Sequence, residues 1–329
     1  MINVRYNGRD ITDMVVSVEW SGHSEKPNRQ LSVIISNTEN GRTQLLKIDN
    51  GKVVEFRNNN ELLFRGFVFA HETTHKGETS VTAYDENIYL LKSTDRRKFT
   101  KMKASEIASR LCKDYGIPIG KISDTGYVIP KLILREKSLY DMLMYALTLT
   151  RKHTGKRFFI SNVDGKFYLR AGSEKQSKYL IEVGRNIVSA SYSQSIEETK
   201  TQVKVIGGKN ESITVKQRNA ALVKKYGVLQ ELEVMDEKAT KAQMEQRAKT
   251  LLKERGVIDD QATVEALGVD EVITGTGVYV YEPMTGIKGG YYVTSDSHVY
   301  TGTSHTMTLE LSATYDLPKI EIEKEALGK

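Results

Sequence analysis

The chain has little cysteine and proline, and it lacks a long apolar run. Its 329 residues include five prolines and a single cysteine, Cys112, which excludes an internal disulfide. No apolar run approaches the roughly 18 residues of a membrane-spanning helix. The opening residues, MINVRYNGRD, contain no apolar stretch of the signal-peptide kind. We therefore expect a protein without a transmembrane helix that is made and kept in a cytoplasm unless lysis releases it.

The remaining composition is that of an ordinary globular protein. Hydrophobic residues make up 39% and charged residues 27% of the chain, and the net charge is +6. This length predicts two to four domains. Cys112 lies in a helical pattern, where a small buried apolar role is expected. The densest basic stretch, Lys92–Lys103, is interpreted as an exposed linker, with phosphate binding as the alternative.

A strand cassette occurs twice in the chain. The first copy runs from Gly51 to Asp85 and the second from Gly275 to Asp316, and each ends in Tyr-Asp. In both, a second glycine (Gly66 or Gly290) follows the first after 15 residues. The closing loop is about seven residues longer in the second copy. The repeat predicts two similar barrels in one chain, whereas chance similarity of two β-meanders is the alternative.

The side-chain pattern changes along the chain, from that of short strands in the first 90 residues to that of helices after them. Residues 1–90 are short β-branched and aromatic runs separated by turn pairs, which is typical of a small antiparallel barrel. Ser105 begins one helix, and Ser138 is a plausible N-cap for a second, with Asp141 three residues later. Asp164-Gly165 then predicts a hairpin. Further on, residues 208–230 are polar and irregular by sequence, and Asp236–Gly256 has a helical pattern.

These patterns predict an α+β, mainly β fold. It comprises two tube-like antiparallel β-barrels, a small α/β domain of two helices and a hairpin, and a helix-bearing insertion that splits the second barrel. The predicted bounds are 1–95 for the first barrel, 96–175 for the α/β domain, 176–316 for the second barrel with its insertion at about 208–258, and 317–329 for a charged tail.

The sequence offers no constellation that would build an active site. Walker, Rossmann and nucleophile-elbow motifs are missing. The weak candidates are histidine or carboxylate pairs in strand or loop contexts: His71 and His75 with Glu72, His298 and His305, Asp85-Glu86, and Glu197-Glu198. Both histidine pairs are interpreted as solvated hairpins, because they are not placed on one face of a helix. We predict a protein that is not an enzyme, with no catalytic, cofactor-binding or metal-binding residue and no cofactor.

Four stretches of the chain together point to a known family. They are INVRYNGRDITDMVVSVEWSGHSEKPNRQLSVII, KASEIASRLCKDYGIPIGKI, SLYDMLMYALTLTRKHTGKRFFISNVDGKFYLR and RNIVSASYSQSIEETKTQVKVIGG. Through them the chain resembles the baseplate hub proteins of contractile phage tails, and in particular the hub family of PBSX-type prophages. The resemblance covers nearly the whole chain.

The resemblance implies a homotrimer in which three subunits with two barrels each form a ring of six similar units. Such a ring would join the hexameric tail tube protein to the threefold central spike and contact a LysM-type baseplate protein. DNA would pass through only as cargo, and no membrane contact is implied. The protein would reside in the virion baseplate after assembly in the bacterial cytoplasm.

The segments expected at the joins are Arg42–Asp49 and residues 208–230, with mobile surface loops as the alternative interpretation. Two other functions stay open from the sequence. One is a cell-wall binding or degrading tail module. The other is nucleic-acid binding through Lys92–Lys103.

Overall fold

A computed structural model describes residues 1–172, 176–313 and 324–327. Of the predicted tail, only Lys324–Leu327, a 3-10 turn, falls within the described residues. The Tyr315-Asp316 pair that closes the second cassette lies outside them. None of the described helices is long and apolar enough to cross a membrane.

Residues 1–87, all of which are described, form a set of antiparallel strands. Its strands are β1 (Ile2–Tyr6), β2 (Arg9–Asp10), β3 (Val15–His23), β4 (Gln30–Ser36), β5 (Val53–Asn58), β6 (Glu61–Thr73) and β7 (Glu78–Tyr84), with a 3-10 turn at Thr12–Met14. Alternation buries one side chain in two on most of these strands, for example Leu31, Val33 and Ile35 on β4.

A region that mixes helices and strands follows. Its elements are α1 (Ile88–Lys92), β8 (Thr94–Lys103), α2 (Ala104–Asp114), β9 (Ile119–Ile122), β10 (Val128–Ser138), α3 (Leu139–Thr154), β11 (Phe158–Val163) and β12 (Lys166–Ala171). The second predicted helix is confirmed as α3: the Ser138 hydroxyl accepts from the Asp141 backbone N–H at 3.0 Å, and Gly155 ends it in the left-handed conformation. The Asp164-Gly165 hairpin is confirmed as β11–β12, with both turn residues at positive φ.

Two sequence interpretations of irregular segments are wrong. Lys92–Lys103 is not a linker, because Thr94–Lys103 forms β8 and pairs with β10 around the buried Phe99 and Leu132. Residues 208–230 are not irregular, because they contain a strand and a helix described below. In both segments long charged side chains cover an ordered backbone, and their polarity hid the pattern.

The remainder of the chain holds nine strands and two α-helices among its described residues. They are β13 (Gln176–Glu182), β14 (Ile187–Ser195), β15 (Gln202–Gly207), β16 (Ile213–Arg218), α4 (Ala220–Tyr226), β17 (Gln230–Val234), α5 (Lys241–Arg255), β18 (Asp259–Leu267), β19 (Gly277–Glu282), β20 (Ile287–Thr301) and β21 (Ser304–Ser312), with a 3-10 turn at Lys209–Glu211.

The chain forms two compact units. Unit 2 is Tyr192–Ala262, and unit 1 consists of the described residues on either side of it. Unit 2 is a three-stranded sheet in the order β16-β15-β17 with α5 packed on one face. The domain bounds predicted from the sequence, which are finer than this division, stay a prediction.

The mainly β fold is confirmed, but the predicted barrels are not closed within the described residues. Instead, 13 strands form one sheet in the order β14-β18-β21-β20-β3-β4-β7-β6-β5-β1-β2, with β19 and β13 attached beside β20. Part of β20 pairs with β3 and so joins the two halves of the repeat. One continuous sheet therefore contains both halves of the repeat.

The cassette repeat is present in the strand order. The first half has the order β5-β6-β7-β4-β3, and the second half has the matching order β19-β20-β21-β18-β14. Gly51 and Gly275 are equivalent: each donates its N–H to a valine carbonyl, that of Val68 or Val293, at 2.7 and 2.9 Å. Each valine also immediately precedes a register shift in its pairing with the next strand.

The sequence alignment of the two copies is wrong at its other two reference points, the second glycine and the tyrosine of the closing Tyr-Asp. Val54 pairs with Gly66 and its equivalent Val278 pairs with Tyr291, so Gly290 lies one residue away from the position that matches Gly66. Tyr84 faces Phe67, and the residue in the matching place is Ser312. The extra residues of the second copy lengthen β20 and β21 instead of the loop between them.

Candidate functional site: a strand seam and two free edges

The two halves of the repeat meet where β3 pairs with β20, which we call the seam. The pairing is antiparallel and runs from Ser295 opposite His23 to Tyr300 opposite Val18. The first part of β20 pairs with β19 along the same edge, so this strand of 15 residues serves both neighbours in succession. The length of β20 is therefore what joins the halves.

A buried ion pair lies under the seam. The Arg29 guanidinium donates to both carboxylate oxygens of Asp296, with 3.0 Å from Nη1 to Oδ1. Thr274 donates to the same Oδ1 from its backbone N–H at 2.7 Å and its hydroxyl at 2.6 Å. Gly22 faces Asp296 across the strands, and a Cβ there would overlap the guanidinium. These contacts satisfy the charge of a carboxylate that has no exposed side-chain surface.

A histidine pair continues the polar layer along β20 and β21. His298 Nδ1 lies 3.0 Å from His305 Nε2, and His298 Nε2 lies 3.0 Å from the Val272 carbonyl oxygen. The His305 ring stacks on Tyr300 with the ring centroids 4.0 Å apart. The Tyr300 hydroxyl donates to Asp270 at 2.6 Å. These buried and half-buried groups therefore form a chain of polar contacts beneath the seam.

The seam sets the protonation of its own groups. Burial lowers the pKa of His298 to about 4 and also lowers the pKa of His305. Burial would raise the pKa of Asp296, but the Arg29 guanidinium beside it holds that pKa below the ordinary value. At neutral pH the seam thus contains one ion pair and two neutral imidazoles.

We expect the seam to lose stability in acid. The unfolded chain protonates His298 near pH 6.5, whereas the folded chain protonates it near pH 4. The unfolded state therefore binds more protons in this window, so the free energy of unfolding falls as the pH is lowered through it, by up to roughly 3 kcal/mol from His298. Urea unfolding of the wild type and of a His298→Gln variant between about pH 4 and 8 measures the difference.

The comparison with His298→Gln is needed because Asp85 has the opposite effect. Burial raises the pKa of Asp85 to about 8. The contribution of Asp85 to the free energy of unfolding therefore falls as the pH rises toward that value. Both proteins share this contribution, and it cancels in their difference. A difference that does not change with pH would contradict the buried neutral state of His298.

The second half of the repeat contains a strand, β14, that is equivalent to β3 but has one partner strand among the described residues. β14 occupies the place of β3, but among the described residues only β18 pairs with it. All nine of its residues are at least partly exposed, whereas β3 buries Val18 and Trp20. No strand among residues 1–172, 176–313 and 324–327 therefore pairs with the edge of β14 away from β18.

The matching free edge belongs to β6. Beyond Val68, whose backbone still bonds to Gly51 and Lys52, this strand pairs with β7 on one side, and no described strand pairs with its other side. From Val68 and Val293 onward, the segment Ala70–Thr73 is equivalent to Ser295–His298. In β6 the residues Ala70, His71 and Glu72 are exposed, but in β20 Asp296 and His298 are buried under β3. An unpaired strand edge of this kind is a template for pairing with another chain.

The residues singled out from the sequence have different environments. His71 lies on the free edge of β6, with Nδ1 3.0 Å from Asn50 Oδ1, and His75 lies in the exposed turn after it. The interpretation of His298 and His305 as solvated is wrong, because β20 and β21 extend through them and bring them under the seam. Glu197 and Glu198 are exposed.

Asp85 and Glu86 have structural contacts. Asp85 accepts from the backbone N–H groups of Arg29 and Asn87 at 2.8 and 2.9 Å, and Glu86 forms an ion pair with Arg65. Cys112 is confirmed as a buried residue, and burial raises its thiol pKa to about 12. Among the described residues, no three His, Cys, Asp or Glu side chains are grouped to hold a metal ion. The expectation of no catalytic, cofactor or metal residue stays a prediction.

The segment Arg42–Asp49 contains neither helix nor strand and is mostly exposed. It is held at its base by the Asn37 amide, which donates to the Leu46 carbonyl at 2.7 Å, and by the buried Ile48. Its role at a join, like that of residues 208–230, stays a prediction.

Sequence reasoning missed the seam. Alternation along β20 places Asp296, His298 and Tyr300 on one face, and this signal was available in the sequence. Their burial was not available, because it depends on β3 and on Arg29, which is 267 residues away from Asp296 in the chain.

The fold is that of phage tail proteins. A 43 kDa tail protein of prophage MuSo2 from Shewanella oneidensis matches with a TM-score of 0.70 over 94% of this chain and 97% of that chain, at 13% identity. An E. coli component of the type VI secretion system, described as structurally similar to the T4 tail proteins gp27 and gp5, matches with a TM-score of 0.56 over 97% of this chain and 77% of its own, at 8% identity.

The sequence relationship is closer and shows the family. The protein XkdQ of the phage-like element PBSX from Bacillus subtilis strain 168 is 33% identical over 306 residues, which cover 92% of this chain and 94% of XkdQ. The YQBQ-like family model matches residues 18–312. The chain belongs to the YQBQ-like family.

Proposed function

We propose that this protein is the hub of a contractile phage or phage-like tail baseplate, a trimeric ring that joins the tail tube to the central spike. The family relationship to a PBSX protein and the tail-protein fold support this proposal. The protein acts as a structural component and not as an enzyme. It resides in the particle after assembly in the bacterial cytoplasm.

The pair of free edges carries the proposal. Each chain contains one completed seam, β3 on β20, and the two equivalent parts of a second one, β14 and the end of β6. If β14 of one copy pairs with β6 of the next, every join in the assembly repeats the geometry of the internal seam. Such a head-to-tail contact closes into a ring when its rotation closes.

The number of copies comes from the resemblance to hub proteins. Three chains with two halves each place six similar half-sheets around one axis. Surfaces that are alike in the two halves then face a hexameric tube protein, and surfaces that differ face a threefold spike. A LysM-type baseplate protein is a further proposed partner, and DNA passes through the ring as cargo.

Disulfide trapping tests the proposed join. Cysteine at Glu72 on β6, combined in turn with cysteine at Val188, Ser189, Ala190 or Ser191 on β14, should produce covalent species in assembled tails. Opposed strand positions bring Cα atoms within disulfide range, about 4.4–6.8 Å. The products should stop at three linked chains, as measured by non-reducing electrophoresis. The native Cys112 is buried and should add little background.

Two controls accompany this test. Each single cysteine variant should remain unlinked, and so should Thr303→Cys in the exposed turn after β20 when it is combined with the same β14 positions. Failure of all four pairs in assembled tails would contradict pairing of β6 with β14. Linked species larger than three chains would contradict a trimeric ring.

A further inference from the structure

The sheet of unit 2 has one covered face and one open face. α5 covers the first face, where Val203, Val205 and Val215 pack against Met244, Ala248 and Leu251. The second face carries the alternate side chains of the same strands. Leu232 and Val234 on β17 are 55% and 59% exposed, although they flank the partly buried Ile206 of the central strand.

The strand directions make this openness unusual. β15 pairs with β17 in parallel and with β16 in antiparallel orientation. Sheets made of parallel strands alone are normally covered on both faces, and this mixed sheet contains one such pair. Among the described residues, nothing covers the second face of this parallel pair, which carries the exposed Leu232 and Val234.

The charges of the sheet are also divided between its faces. The acidic residues of β17 lie on the α5 side, where Glu233 pairs with Arg247 at 2.8 Å and Glu231 with Arg255 at 3.7 Å. The open face carries Lys204, Lys216 and Arg218, and none of the three has an ion pair among the described residues. Lys204 lies directly opposite Lys216, an arrangement of like charges that destabilises a strand pair unless an anion compensates it.

We propose that this open face binds an acidic amphipathic helix of another protein. Apolar side chains of the helix would pack on Ile206, Leu232 and Val234, and its carboxylates would pair with Lys204, Lys216 and Arg218. A helix fits because α5, with 15 residues, already covers the other face of the same strands. The cations lie toward β16 and the apolar residues toward β17, which matches the two-sided surface of an amphipathic helix.

A synthetic peptide tests this binding on the full-length protein. The probe is a fluorescein-labelled helix of about 18 residues with leucines at helical spacing and glutamates on one flank. A companion peptide carries lysine in place of each glutamate. Fluorescence anisotropy should show salt-dependent binding of the acidic peptide and little binding of the basic one, because surface charge attraction is screened by salt.

Variants of the open face should weaken the binding. The double variant Lys204→Glu with Lys216→Glu should lower the affinity for the acidic peptide by about tenfold or more, and it should bind the basic peptide in preference. Leu232→Glu should lower the affinity for both peptides. The matched controls are Lys249→Glu on α5 and Val257→Glu, which has nearly the same exposure as Leu232, 57% against 55%. Both should bind as the wild type does.

The charge reversal keeps the test valid even if Leu232→Glu impairs folding, because a protein that has gained affinity for the basic peptide is folded. The proposal is overturned if the acidic peptide does not bind, or if the control variants lower its affinity as much as the variants of the open face do. It is also overturned if duplex DNA, or a second copy of the chain, binds the same residues more tightly than the peptide does. These outcomes are independent of the disulfide test, which involves only β6 and β14.

Discussion

Replacing Asp296 with alanine should lower the free energy of unfolding by about 3–5 kcal/mol, because it leaves the Arg29 guanidinium buried without its counter-charge. The Arg29 and Asp296 side chains are 12% and 0% exposed, so water cannot take over the lost contacts. The hydroxyl and backbone N–H of Thr274 would lose their acceptor as well. Urea unfolding of the full-length chain measures the effect.

Asp49→Ala is the matched control for the loss of an ion pair. Asp49 pairs with Lys47 at 3.2 Å, but both side chains are well exposed, so its removal should change the free energy of unfolding by less than about 0.5 kcal/mol. The double variant Arg29→Met with Asp296→Leu should recover much of the stability lost in Asp296→Ala, since it removes both charges together. Equal effects of Asp296→Ala and Asp49→Ala would show that the buried pair does not hold the seam.

The second large effect is expected at Gly66. A Cβ on this residue would overlap the backbone carbonyl of Tyr84 on β7, which cannot move without breaking the strand pair. Gly66→Ala should therefore destabilise the protein by about 1–3 kcal/mol. Thermal or urea unfolding measures the loss.

Gly290 provides the comparison, because the sequence repeat places it at the same spacing as Gly66. A Cβ at Gly290 meets no atom within 4 Å. Gly290→Ala should leave stability unchanged or raise it by about 0.5 kcal/mol, since alanine is the more favourable residue in a strand. A similar loss in both variants would contradict the one-residue offset that separates the two glycines in the structure.

Much of the local structure could be predicted from the sequence, because the signals are themselves local. The Ser138 cap, the left-handed Gly155 and the Asp164-Gly165 turn each depend on residues within a few positions of one another. β8 was missed for the converse reason. Phe99 is its one fully buried side chain, so alternation was weak, and pairing with the distant β10 stabilises the strand.

The candidate interface shows the same division. The cassette repeat was readable because both copies keep the order of a strand, a turn and two further strands. Its alignment was one residue off at the second glycine, because a hairpin can gain a residue without losing the pattern. The free edges of β6 and β14 could not be predicted, because an edge is free or paired according to the strands beside it.

The sequence by itself determined that the chain is mainly β, and it predicted that one strand cassette occurs twice and that a helix-bearing segment interrupts the second half. These properties follow from side-chain periodicity and turn chemistry, which act over a few residues. Only the tertiary structure decided that the two halves form one sheet and that Arg29, Asp296 and His298 lie beneath its seam. It also decided that two matching edges have no partner strand among the described residues. The physical reason is that burial and pairing are set by residues far apart in the chain, such as Arg29 and Asp296, whose proximity no local pattern encodes.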